Sequence, residues 1–195
     1  MPITHTNRKG KTYTLCQTQT KKGDIRYFFT PDPAGKTLVD QIPAGYEIRE
    51  NVNGQVTLGK ARPQIITLPE RAAVERAIVR HPKAKNYRVD VKGKQIIVYE
   101  NIGPDMDAIL GIFQQLMPIP QSRAEALRSP EEQFSQFSPV MRFELEDPET
   151  RQFHVARMGY SGYGDWRGPA RRGDIESLAK EVIPLLGTDK FFEVW

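Results

Sequence analysis

The stretch Tyr46–Gly59, YEIRENVNGQVTLG, decides how this chain is read. Tyr46 and Ile48 alternate with charged residues before Asn51–Val52–Asn53–Gly54, and Val56 and Leu58 alternate after it, so each run presents one apolar side. Asn-Gly between alternating runs is a strong hairpin signal, because both residues tolerate the positive φ of a tight turn. An antiparallel hairpin is expected here, and the same pattern recurs outward from it.

Toward the N-terminus, Lys11–Gln19 (KTYTLCQTQ) and Asp24–Thr30 (DIRYFFT) are rich in β-branched and aromatic residues and flank a turn ending at Gly23. Toward the C-terminus, Tyr87–Val91 and Gln95–Tyr99 bracket Lys92–Gly93–Lys94, and Val140–Glu146 and Gln152–Met158 bracket Asp147–Thr150. Leu38–Ile42 reads as at most one helical turn before Pro43.

Helices punctuate these hairpins. Thr67 and Glu70 have capping-box spacing, Pro69 sits in the first turn, and Ala73, Val74, Ala77, Ile78 and His81 repeat at helical intervals, predicting a helix that stops near Arg80, before Pro82. A second amphipathic helix is expected over Asp105–Met117 and a short one from Ser129. Asp174 caps a further helix over Ile175–Ile183. The apolar end, Phe191–Trp195, reads as a strand docked beside the fourth hairpin.

The expected fold class is α+β, with antiparallel hairpin-built sheets and a few packed helices in two small subdomains. Residues 1–117 form the basic hairpin-rich domain, 118–139 a linker alternating Pro, Ser and charge, and 140–195 a small ββαβ unit.

The 195 residues carry 28 Lys/Arg and 24 Asp/Glu, a net +4 that hides an asymmetry. Residues 1–100 hold 18 basic against 9 acidic side chains, and residues 101–195 hold 10 against 15. Such a split points to a polyanion-facing half or to two halves that attract each other. No run approaches the ~20 apolar residues of a membrane helix, and the first residues lack a secretory h-region, so no membrane partner and a cytoplasmic location are expected. Cys16, alone of its kind, permits no internal disulfide and reads as a buried strand residue.

Catalytic signatures are thin. His5, His81 and His154 stand far apart with no ligand at a familiar interval, so no metal is expected. Gly159–Tyr163 nearly spells a nucleophile elbow, but Tyr163 replaces the second glycine and no histidine follows Ser161 in a hydrolase order. Gly159, Gly162 and Gly164 do not form the dinucleotide fingerprint, and no cofactor is expected. Glu144 and Glu146 share one strand face and read as solvated.

The segment Ala156–Asp174, ARMGYSGYGDWRGPARRGD, reads as a loop offering guanidinium forks and aromatic faces. The expected function is a non-catalytic protein that contacts a polyanion, nucleic acid foremost. Lys21, Lys22, Lys92, Lys94, Arg157, Arg167, Arg171 and Arg172 would meet phosphates, and Tyr160, Tyr163 and Trp166 would stack. The alternatives are a protein-interaction or self-associating assembly module, and an enzyme with its site near residues 157–174, using His154, Asp165 and Arg167.

Overall fold

The computed structural model describes residues 1–103, 112, 115, 135–159 and 164–193. The helices expected over Asp105–Met117 and from Ser129, and most of the expected linker, lie outside the described residues apart from 112 and 115. Two compact units are drawn by the chain's own contacts: Met1–Arg62 with Gly103–Gln136, and Pro63–Ile102 with Phe137–Trp195.

The first unit is built on β2 (Thr12–Gln19). It pairs antiparallel with β3 (Ile25–Thr30) along one edge, and with β1 (Thr4–Thr6) and β4 (Thr37–Leu38) along the other. The expected helical turn at Leu38 is thus a strand end instead. Leu38 lies opposite Cys16, and Val39 N–H donates to Leu15 C=O at 3.1 Å, giving backbone groups of β2 the partners they need. The Asn-Gly hairpin forms as expected, with β5 (Tyr46–Glu50) and β6 (Val56–Lys60) in the register Ile48↔Leu58. Gly54 turns the chain at φ +75°, and a Cβ there would stand 2.9 Å from Asn7 Nδ2, so only glycine fits. Leu15, Cys16, Val39, Val52 and Val56 are buried.

The second unit is a five-stranded antiparallel meander in the order β11-β10-β9-β8-β7. Its strands are β7 (Tyr87–Lys92), β8 (Gln95–Asn101), β9 (Phe137–Asp147), β10 (Gln152–Met158) and β11 (Trp166–Gly173). Helix α1 (Leu68–Val79) and helix α2 (Ile175–Val182) pack on one face of this sheet. Val74, Ile78, Leu178 and Val182 meet Ile96, Val98, Met141, Phe143, Phe153 and Val155 in one core. Three helices among the described residues and antiparallel sheets make the fold α+β.

Both predicted helix starts form as read. Glu70 accepts from Thr67 N–H at 2.7 Å, and Asp174 accepts from Ser177 N–H at 2.9 Å. That backbone hydrogen bond from Ser177 holds the Asp174 carboxyl below its usual range. Asp174→Ala is expected to lower stability by about 1 kcal/mol, read by urea denaturation; an unchanged midpoint would remove Asp174 as the cap.

Three expectations are corrected. The second half of the Arg-rich segment is strand β11, not loop, because the free edge of β10 is satisfied by pairing with it. A bulge between Val155 and Arg157 absorbs the irregular sequence, and Gly168, at φ +152°, lies where a Cβ would approach Val155 C=O to 2.9 Å. With that place taken, Phe191 docks on a helical turn, α3 (Lys190–Glu193), which buries it, and residues 194 and 195 of the expected strand lie outside the described residues; the ββαβ order becomes βββ followed by helices.

The domain division also differs from the expected one, since β8 pairs directly with β9, from Gln95↔Glu144 to Asn101↔Phe137. Residues on both sides of 103–136 therefore share one sheet.

Candidate polyanion-binding surface

The four cationic site residues on or next to β11 and β8 do not stand free. Lys94 Nζ lies 3.0 Å from Glu144, Arg171 Nε 2.8 Å from Glu181, Arg172 Nη2 3.1 Å from Glu146, and Arg167 Nη2 3.4 Å from Asp165. Lys92 lies over the Tyr99 ring and Arg157 over the Phe192 ring, each at 5.5 Å. Trp166 is covered by the Arg142 guanidinium at 4.6 Å, while Tyr160 and Tyr163 lie outside the described residues. For Lys94 the meander causes the pairing, because the β8–β9 register sets Gln95, next to Lys94, opposite Glu144.

At the centre of the sheet face opposite the helices is Glu144, which is held rather than solvated as its alternation predicts. Its side chain is only 13% exposed and is met by Lys94, by Arg142 at 3.2 Å and by Gln95 Nε2 at 3.1 Å. Burial pushes this carboxyl up, but the Lys94 hydrogen bond and the charges of Arg142 and Lys94 outweigh burial and hold it below the ordinary range. His154 stands between Glu144 at 3.9 Å and Glu146 at 3.8 Å. The signal for this network was the alternation Arg142, Glu144, Glu146 on one strand with His154 opposite in the predicted hairpin.

The trio His154, Asp165 and Arg167 is not gathered. His154 faces Arg172 across the β10–β11 ladder, and Asp165 precedes Trp166 opposite Met158, four strand positions away, or roughly 13 Å. His81 is held by structural contacts on every side. Its Nε2 meets Leu186 C=O at 3.1 Å, its Nδ1 accepts from Lys83 N–H, and its ring edge packs on Tyr87. Among the described residues no cluster of three His, Cys, Asp or Glu is placed to hold a metal, and no helix is long and apolar enough to cross a membrane.

The strands of the first unit are different. Residues 1–62 carry ten Lys/Arg against five Asp/Glu. Glu50 is taken by His5 and Arg8, both at 2.9 Å, and Glu47 by Arg49. Burial raises the Glu50 carboxyl, yet hydrogen bonds from His5 and Arg8 pull it lower overall. Lys11, Lys21, Lys22, Arg26, Lys60 and Arg62 are exposed and enter none of the ion pairs among the described residues. Lys21 and Lys22 occupy the β2–β3 tip and Lys11 the opposite end of β2, about 25 Å away at ~3.3 Å per residue.

Beside Lys11 an open cleft of about 540 Å³ runs between the β1–β2 turn and the β5–β6 turn. Its floor is Asn7, buried, whose Nδ2 donates to Gly54 C=O at 2.6 Å and whose Oδ1 accepts from Lys9 and Lys11 N–H. Lys11, Tyr13, Asn53 and Gln55 line its walls. Comparison with protein-family models, with curated proteins and with solved structures returns no match.

Proposed function

We propose that the protein is a non-catalytic binding protein that contacts a polyanion, nucleic acid foremost, through the strands and turns of residues 1–62. The observation that carries this reading is the contrast in pairing: Lys94, Arg171 and Arg172 of the meander are matched by carboxylates, whereas Lys11, Lys21 and Lys22 at the two ends of β2 are exposed and enter none of the ion pairs among the described residues. Residues 103–136 add two arginines and five carboxylates to the same unit, so the local cations at the hairpin ends, rather than total charge, provide the attraction. Two cationic ends about 25 Å apart are spanned by a polymer and not by a single phosphate group.

Such binding weakens as salt rises, because each neutralised phosphate releases a counterion. Fluorescence anisotropy with labelled oligonucleotides is expected to show affinity that falls steeply with salt and rises with oligonucleotide length. Reversing the tip charges with Lys21→Glu and Lys22→Glu is expected to weaken binding about tenfold or more and to flatten the salt slope, as two lost phosphate contacts require. Absence of binding to DNA and RNA at low salt removes the proposal.

A further inference from the structure

The cleft beside Lys11 has features that a general electrostatic surface does not need. Its volume, about 540 Å³, lies within the range that small organic ligands occupy. Its floor is fixed before any ligand arrives, since Asn7 is tied to both turns by three hydrogen bonds. Gln55 is oriented as well: its Oε1 accepts from Asn51 Nδ2 at 3.1 Å, which leaves Nε2 directed away from that contact as a donor. Tyr13 supplies an aromatic wall, with Lys11 Nζ 5.9 Å from the ring centroid.

We infer that this cleft receives one unstacked base of a single-stranded nucleic acid. Tyr13 provides the stacking face, Gln55 a hydrogen-bond donor to the base edge, and Lys11 the charge for the adjoining phosphate. An ammonium 5.9 Å from the centroid of a half-buried ring is a weak contact, and stacking of a base on that ring is the stronger one. The base therefore displaces Lys11 from the ring, and the freed ammonium remains within its own side-chain reach of the backbone phosphate. Duplex bases are stacked and paired, so they do not enter without being extruded. This inference rests on the polyanion reading of residues 1–62 and adds to it a preference for single strands.

The test compares three probes at one low salt concentration: a labelled single-stranded oligonucleotide, its duplex, and inorganic polyphosphate, which has charge but no bases. The wild type is expected to bind the single strand more tightly than either of the others. Tyr13→Ala is expected to weaken single-strand binding about tenfold, from the loss of one stacked base, and to leave polyphosphate binding unchanged. Gln55→Ala, an exposed change that leaves the fold intact, is expected to weaken the single strand about threefold and polyphosphate not at all. Lys11→Gln is expected to weaken all three. Equal binding of single strand and duplex, or single-strand affinity indifferent to both Tyr13→Ala and Gln55→Ala, overturns the base-binding inference while polyphosphate binding keeps the polyanion reading. Failure of all three probes to bind overturns both.

Discussion

Replacing Phe143 by alanine is expected to remove about 3–5 kcal/mol from the stability of the second unit, a loss at the upper end for a single substitution. Phe143 is fully buried at the middle of β9, the central strand, opposite Ile96 on β8 and Val155 on β10. Truncation removes its transfer free energy and leaves a cavity that four flanking strands are poorly able to close, because their positions are fixed by the ladders on either side. With domain stabilities of about 5–15 kcal/mol, a loss of that size removes a large share of the whole. Both tryptophans of the chain, Trp166 and Trp195, belong to this unit, so tryptophan fluorescence in a denaturant titration reports on it. Val79→Ala, at an exposed helix position, serves as the control and is expected to change stability by less than about 0.5 kcal/mol. A Phe143→Ala loss below about 1 kcal/mol would show that this core is not the one the unit depends on.

The second large effect is expected at Glu70. Its carboxylate closes the capping box of α1 and also receives a two-pronged contact from Arg151, Nε to Oε1 at 2.7 Å and Nη2 to Oε2 at 2.5 Å. Arg151, at the β9–β10 turn, has a positive φ, +54°, and it also donates to Ile65 C=O. One carboxylate thus ties the start of α1 to the far end of the sheet. Glu70→Ala loses a cap worth about 1 kcal/mol. It also breaks an ion pair whose carboxylate is largely buried and whose guanidinium is about one-third exposed, which places the pair between surface and buried values. The total is expected to be about 2–3 kcal/mol.

The same site gives a pH dependence with a definite sign. Burial raises the Glu70 carboxyl, but hydrogen bonds from Arg151 and Thr67 outweigh it and leave the folded value below the ordinary 4.5. The charged form therefore stabilises the fold at any pH above 4.5, and that contribution is lost as the pH falls through the lower, folded value. Denaturation of wild type and Glu70→Gln across this window is expected to show a gap at neutral pH that narrows on acidification. A gap that widens toward low pH would contradict the assigned charge state.

What the sequence made legible was local. Asn53–Gly54, Thr67 with Glu70, and Asp174 each act within a few residues, and each turn or cap forms where its chemistry places it. What it hid was decided by partners distant along the chain. Trp166–Gly173, rich in Arg, Gly and Pro, has little strand propensity of its own and becomes β11 because β10 offers an open edge. At Phe191–Glu193 the strand expectation failed for the complementary reason, since that edge was already occupied. The candidate site divides similarly. Lys21 and Lys22 sit at a predicted hairpin tip, exposed as expected, whereas Arg171 and Arg172 meet Glu181 and Glu146 through a register that residue spacing does not reveal.

Asn101 and Phe137 are neighbours in one ladder, so the polypeptide leaves the meander and re-enters it at the same rung. The β8–β9 ladder therefore holds although its two strands are far from adjacent in sequence, so what joins them at this rung is the pairing itself and not a tight turn, and the integrity of the meander is set by the strands rather than by the route the chain takes between them.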